Sequence, residues 1–111
     1  MKDSRTEKFS YEPQELLGYL VEALKKMNLN YRISTEGVMT GELARIIDIA
    51  GEKVRVIILP SNSGSILEIK GESDLTQKII YELVKNLPRP PWNLISKRRW
   101  IKRWPILKGV S

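Results

Sequence analysis

Residues 39–59 read MTGELARIIDIAGEKVRVIIL, and the fold turns on whether this stretch is a helix or a hairpin. Leu43, Ile46, Ile47 and Ala50 have helical spacing, and TGELA suits the first helix of a helix-turn-helix. Leu43, Ile47 and Ile49 also fit the alternation of a strand. The residues after Ile49 decide between them. AGEK (50–53) is a turn sequence, and VRVIIL (54–59) is β-branched with Val54, Val56 and Ile58 on one face, so a hairpin explains both halves. A helix-turn-helix needs a polar-faced recognition helix at this point, and an Ile- and Val-rich strand cannot be one.

Outward from the hairpin, NYRIST (30–35) alternates Tyr31, Ile33 and Thr35 with Arg32 and Ser34, a short strand closed by Glu36-Gly37. PSNSGS (60–65) is dense in turn residues and reads as a flexible hairpin loop. It lacks the GxxxxGK[ST] spacing and the lysine of a phosphate cradle. Residues 66–70 form another strand, with Leu67 and Ile69 toward the core. Two helices flank this β region. In PQELLGYLVEALKKM (13–27), Pro13 suits a first turn, and Leu16, Leu20, Ala23, Leu24 and Met27 recur at three and four residues. Lys25 and Lys26 complement the dipole at its end near Asn28. In GESDLTQKIIYELVKNL (71–87), Ser73 is the expected N-cap, Asp74 lies in the first turn, and Leu75, Ile79, Leu83 and Leu87 form the buried stripe before Pro88 stops the helix.

The expected architecture is therefore α+β: a helix, an antiparallel meander of three or four strands, and a second helix. Both helices cover one face of a curved sheet whose other, polar face is exposed. Residues 1–9, polar and mixed in charge, read as a flexible N-terminus, residues 10–87 as the single domain, and residues 88–111 as a basic C-terminal tail. The order of elements is similar to that of a double-stranded-RNA-binding domain. In that family, however, the second helix opens with a lysine cluster that grips phosphates, whereas here the matching stretch is the acidic GESDLTQK. The likeness stops at topology and transfers no residues.

Composition removes much chemistry. The chain has no Cys and no His, so thiolate metal sites, thiol nucleophiles and the commonest general base are absent. No run of roughly 18 apolar residues marks a membrane span, and MKDSRTEKFS has no apolar run of a signal peptide. These features point to a cytoplasmic protein. Abundant Ile, Lys, Arg and Glu fit a heat-adapted source. The carboxylates Glu12 and Glu15, Glu68 and Glu72, and Glu72 and Asp74 are near neighbours in sequence, but each lies where solvated acids normally occur. The expectation is a protein without catalysis, metal or other cofactor.

Charge is distributed unequally. The net charge is +6, yet residues 1–86 hold 12 Lys and Arg against 13 Asp and Glu, whereas residues 87–111 hold seven cations and no acid. All three tryptophans lie in that last stretch, RPPWNLISKRRWIKRWPILKGVS (89–111). Segregated positive charge selects polyanions. Lys97, Arg98, Arg99, Lys102 and Arg103 suit backbone phosphates, and Trp100 and Trp104 between them offer faces for base stacking, so the expected partner is RNA or DNA, bound with little sequence preference. Arg32 and Arg55, on the outer sheet face, would extend this track.

Two other readings use the same residues. Trp92, Trp100 and Ile106 could strap across the sheet or a partner's, which gives a protein-interaction adaptor or homo-oligomer whose cations only solubilise the strap. An anionic membrane surface is the third. As a helix, Trp92, Leu94, Ile95, Trp100, Ile101 and Trp104 would spread round the whole circumference, leaving no apolar face to insert.

Overall fold

The computed structural model describes residues 2–37 and 43–88. Along the chain run β1 (Lys2–Phe9), α1 (Pro13–Lys26), β2 (Tyr31–Gly37), β3 (Leu43–Ile49), β4 (Val54–Ser61), β5 (Gly64–Glu72) and α2 (Ser73–Asn86). The strands form one sheet in the order β1-β5-β4-β3-β2, with every neighbouring pair antiparallel. The fold is α+β, with two helices against one sheet face. The stretch 43–49 is a strand, joined to β4 through residues 50–53, and Ile49 pairs with Val54 across that turn. In the turn the Ala50 amide donates to the Asn30 carbonyl at 2.8 Å, which ties the β3–β4 hairpin to the start of β2.

The sheet has five strands, not three or four. The extra one is β1, in the stretch expected to be a flexible terminus, and it pairs along β5 from Lys2 opposite Glu72 to Phe9 opposite Ser65. Phe9 is almost fully buried, and the Ser65 hydroxyl donates to the Tyr11 carbonyl just beyond it. These contacts hold the N-terminal strand against the body. The chain thus begins on one edge of the sheet, crosses beneath it through α1 to the opposite edge at β2, and returns strand by strand until β5 meets β1.

Strand alternation sends Ile47, Ile49, Val54, Val56, Ile58, Leu67 and Ile69 to the helix side, where they meet Leu16, Leu20 and Leu24 of α1 and Ile79, Ile80 and Leu83 of α2. Each is at most 1% exposed. At roughly 1.5–3 kcal/mol per fully buried aliphatic side chain, this layer is the main source of stability. Met27, Leu75 and Leu87, expected in the core stripes, lie at its rim and are half-buried. Pro13 is the first residue of α1, and the Glu12 amide donates to Glu15 Oε1 at 3.3 Å. At α2 the N-cap is Glu72, one residue before the expected Ser73. The Ser73 carbonyl instead accepts from the Thr76 hydroxyl at 2.8 Å.

The stretch 60–65 is no flexible loop. Ser61 and Gly64 still pair, so only Asn62 and Ser63 make the turn. Gly64 has φ +145°, and a Cβ there would strike the Phe9 carbonyl oxygen and crowd the Tyr11 amide. A side chain at Gly64 is thus incompatible both with its backbone conformation and with the strand beside it. Gly64→Ala is expected to lower the unfolding free energy in urea by about 1–3 kcal/mol. An unchanged urea midpoint would mean that Phe9–Tyr11 does not lie against this hairpin.

Candidate nucleic-acid interface

The outer sheet face is built by the residues that alternate with the core set. On β2, β3 and β4 the register places Arg32 opposite Asp48 and Asp48 opposite Arg55, so one carboxylate lies between two guanidinium groups. Arg55 holds it with both arms, Nε to Oδ1 at 2.7 Å and a terminal nitrogen to Oδ2 at 3.4 Å. Arg32 approaches Oδ2 at 3.9 Å with its side chain still 79% exposed. Asp48 is nearly buried beneath the arginines. Its hydrogen bond, and then its charge, hold the Arg55 guanidinium above the ordinary arginine range.

Arg32 and Arg55 therefore do lie on the outer face, as expected for a phosphate track, but they share a counter-ion. Beside them Lys70, opposite Arg55, pairs with Glu68 at 3.1 Å. Next to Arg32 and Asp48 a hollow of about 260 Å³ is lined by Asn30, Tyr31, Arg32, Asp48, Gly51 and Glu52. It sets one cation against two carboxylates, a balance that disfavours an anionic ligand.

The rest of this face departs from the polar surface expected of it. Ile46, Ile57, Leu59 and Ile66 alternate with core residues and stand, half-buried, on the side opposite the two described helices; Ile46 is opposite Ile57, and Leu59 is opposite Ile66. Among the described residues no group of three or more carboxylates comes together as a metal-binding set. No helix among them is long and apolar enough to cross a membrane.

The strongest candidates, Lys97, Arg98, Arg99, Trp100, Lys102, Arg103 and Trp104, lie outside the described residues. The described residues themselves hold twelve lysines and arginines and twelve aspartates and glutamates. The folded body is electrically balanced. Sequence reading missed Asp48, although the signal was present: an acid inside the apolar run IIDI, which the hairpin register sets opposite an arginine.

Asp48→Asn preserves the shape of this cluster but removes the charge that separates two cations. The thermal midpoint is expected to fall, and to fall further at low salt than at high salt because the uncovered repulsion is screened. An equal fall at both salt concentrations would show that Asp48 acts through packing alone.

Compared with known proteins, the chain matches no family model, no curated protein and no solved structure.

Proposed function

We propose that the protein is a non-enzymatic nucleic-acid-binding module that grips phosphates through its basic, tryptophan-bearing C-terminal segment with little sequence preference. The observation that carries this reading is the partition of charge. The described body is balanced, and residues 89–111 contain seven cations, three tryptophans and no acid. A polyanion approaching the chain meets its net positive field there and nowhere else of similar strength.

In this reading Lys97, Arg98, Arg99, Lys102 and Arg103 contact backbone phosphates and release counterions, while Trp100 and Trp104 stack on exposed bases at about 1–3 kcal/mol per base. Arg32 and Arg55 contribute little, because Asp48 and the nearby acids offset them. A second reading, a protein-interaction adaptor or oligomerising subunit, is favoured by the half-buried aliphatic group Ile46, Ile57, Leu59 and Ile66, which neither described helix covers. Its chemistry suits the apolar side chains of the C-terminal segment or of another protein.

The two readings separate in a binding assay with single- and double-stranded oligonucleotides. Five phosphate contacts predict that raising salt from about 50 to 200 mM weakens binding roughly 500-fold for duplex DNA and roughly 130-fold for single strands. Replacing the five cations by Gln, or ending the chain at Leu87, is expected to abolish binding, whereas Arg32→Gln changes it by less than about threefold. If the full chain binds no oligonucleotide, and removal of the segment instead lowers thermal stability or assembly size, the second reading replaces the first.

A further inference from the structure

The sheet ends in two edge strands that differ in kind. At β1 three of the four helix-facing positions are Asp3, Arg5 and Glu7, with Arg5 Nε on Asp3 Oδ2 at 2.8 Å, and Lys2 and Lys8 stand on the other face. Inward-pointing charge and edge lysines are the usual guards against strand addition. β2 has neither. Its seven residues, YRISTEG, contain no proline and no lysine, and pair with β3 in one unbroken register from Tyr31–Ile49 to Gly37–Leu43, without a bulge. Six of the seven are exposed.

Among the described residues, the apolar surface beside this edge is also exposed. Ile33 is 42% exposed and Leu43 54%, the two exposed large hydrophobic side chains among the described residues. Both are on the helix-facing side, because Ile33 is opposite the core residue Ile47 and Leu43 is four pairs further on, an even step that keeps it on the same face, opposite Gly37. An unguarded backbone edge flanked by exposed Ile and Leu matches recognition by strand addition.

We propose that a second copy of this chain occupies the edge, with β2 pairing antiparallel to β2 about a two-fold axis through Ser34. A two-fold contact must be complementary to itself, and the charges of β2 meet that condition in this register. Arg32 faces Glu36 of the second copy and Glu36 faces its Arg32, one ion pair on each side of the axis. Ile33 faces Thr35 of the second copy and lies diagonal to its Ile33. Arg32 can serve both neighbours, since Asp48 is held mainly by Arg55 and the Arg32 side chain is largely exposed. The axis is perpendicular to the sheet, so the product is one ten-stranded sheet with all four helices on one side. It also joins two C-terminal segments in one particle, which would strengthen any grip on a polyanion. The dimer does not depend on that grip.

Sedimentation velocity on the full chain tests the register. At roughly 100 μM the chain is expected to be dimeric, and Arg32→Glu and Glu36→Arg alone each weaken the dimer tenfold or more. Mixed in equal amounts, those two variants again place opposite charges across the edge, and the dimer is expected to return. Ile33→Lys, at an exposed position, provides a folded variant even if Arg32→Glu disturbs Asp48, and it is expected to be monomeric. A chain monomeric at every concentration overturns the proposal. So does a dimer indifferent to all three substitutions, which would place the contact on the outer face or in the C-terminal segment, and so does failure of the mixture to restore assembly.

Discussion

Two helices of fourteen residues each have to bury one face of a five-stranded sheet, and they are not wide enough to reach its last strand. Packed helices lie about 8–10 Å apart, whereas five strands at about 4.8 Å span roughly 19 Å between the outer axes before side chains are added. α2 lies against β1 and β5, and α1 against β4 and β5. β2 remains beyond them: Tyr31 still packs against the rim of the core, but Ile33 and Thr35 on the same face are exposed. Most of the distinctive features of the surface arise from this shortfall. Among the described residues the β1 edge is guarded by charge, the β2 edge has no further strand beside it, and the opposite sheet face has no helix over it.

Electrostatics within the body are largely local. Asp48 sits between Arg32 and Arg55, Glu68 by Lys70, Glu82 by Lys85 and Asp3 by Arg5. Exposed pairs of this kind add little stability individually, but they cancel the long-range field of the surface that carries them. Among the described residues as a whole, twelve cations face twelve acids, so the body carries no net charge to draw a polyanion. Residues 89–111 have no acid to cancel their seven cations, and the proposed function rests on that segment.

Legibility in the sequence followed the strength of local signals. The β3–β4 hairpin was readable because AGEK separates two β-branched runs, and both helices because their leucines and isoleucines recur at three and four residues. β1 was not, because three of its four helix-facing positions, Asp3, Arg5 and Glu7, are charged and only Phe9 marks the apolar side. Its partner β5 is also more than fifty residues away, beyond the reach of local pattern. The shift of the α2 cap from Ser73 to Glu72 reflects a choice between adjacent polar residues that β5 pairing settles, since Glu72 is still paired with Lys2. Asp48 escaped notice because an acid in an apolar strand acquires meaning only once the register supplies its arginines. The C-terminal candidates were legible in composition alone, and they lie outside the described residues.

The tryptophans make the central claim directly measurable. All three, Trp92, Trp100 and Trp104, belong to the C-terminal segment, so indole fluorescence of the intact chain reports on that segment and on nothing else. On titration with a single-stranded oligonucleotide at low salt, a stacking segment predicts solvent-exposed emission that is quenched as nucleic acid is added and recovers when salt is raised. Blue-shifted emission that no oligonucleotide alters would place the indoles against protein and contradict the proposed grip on nucleic acid.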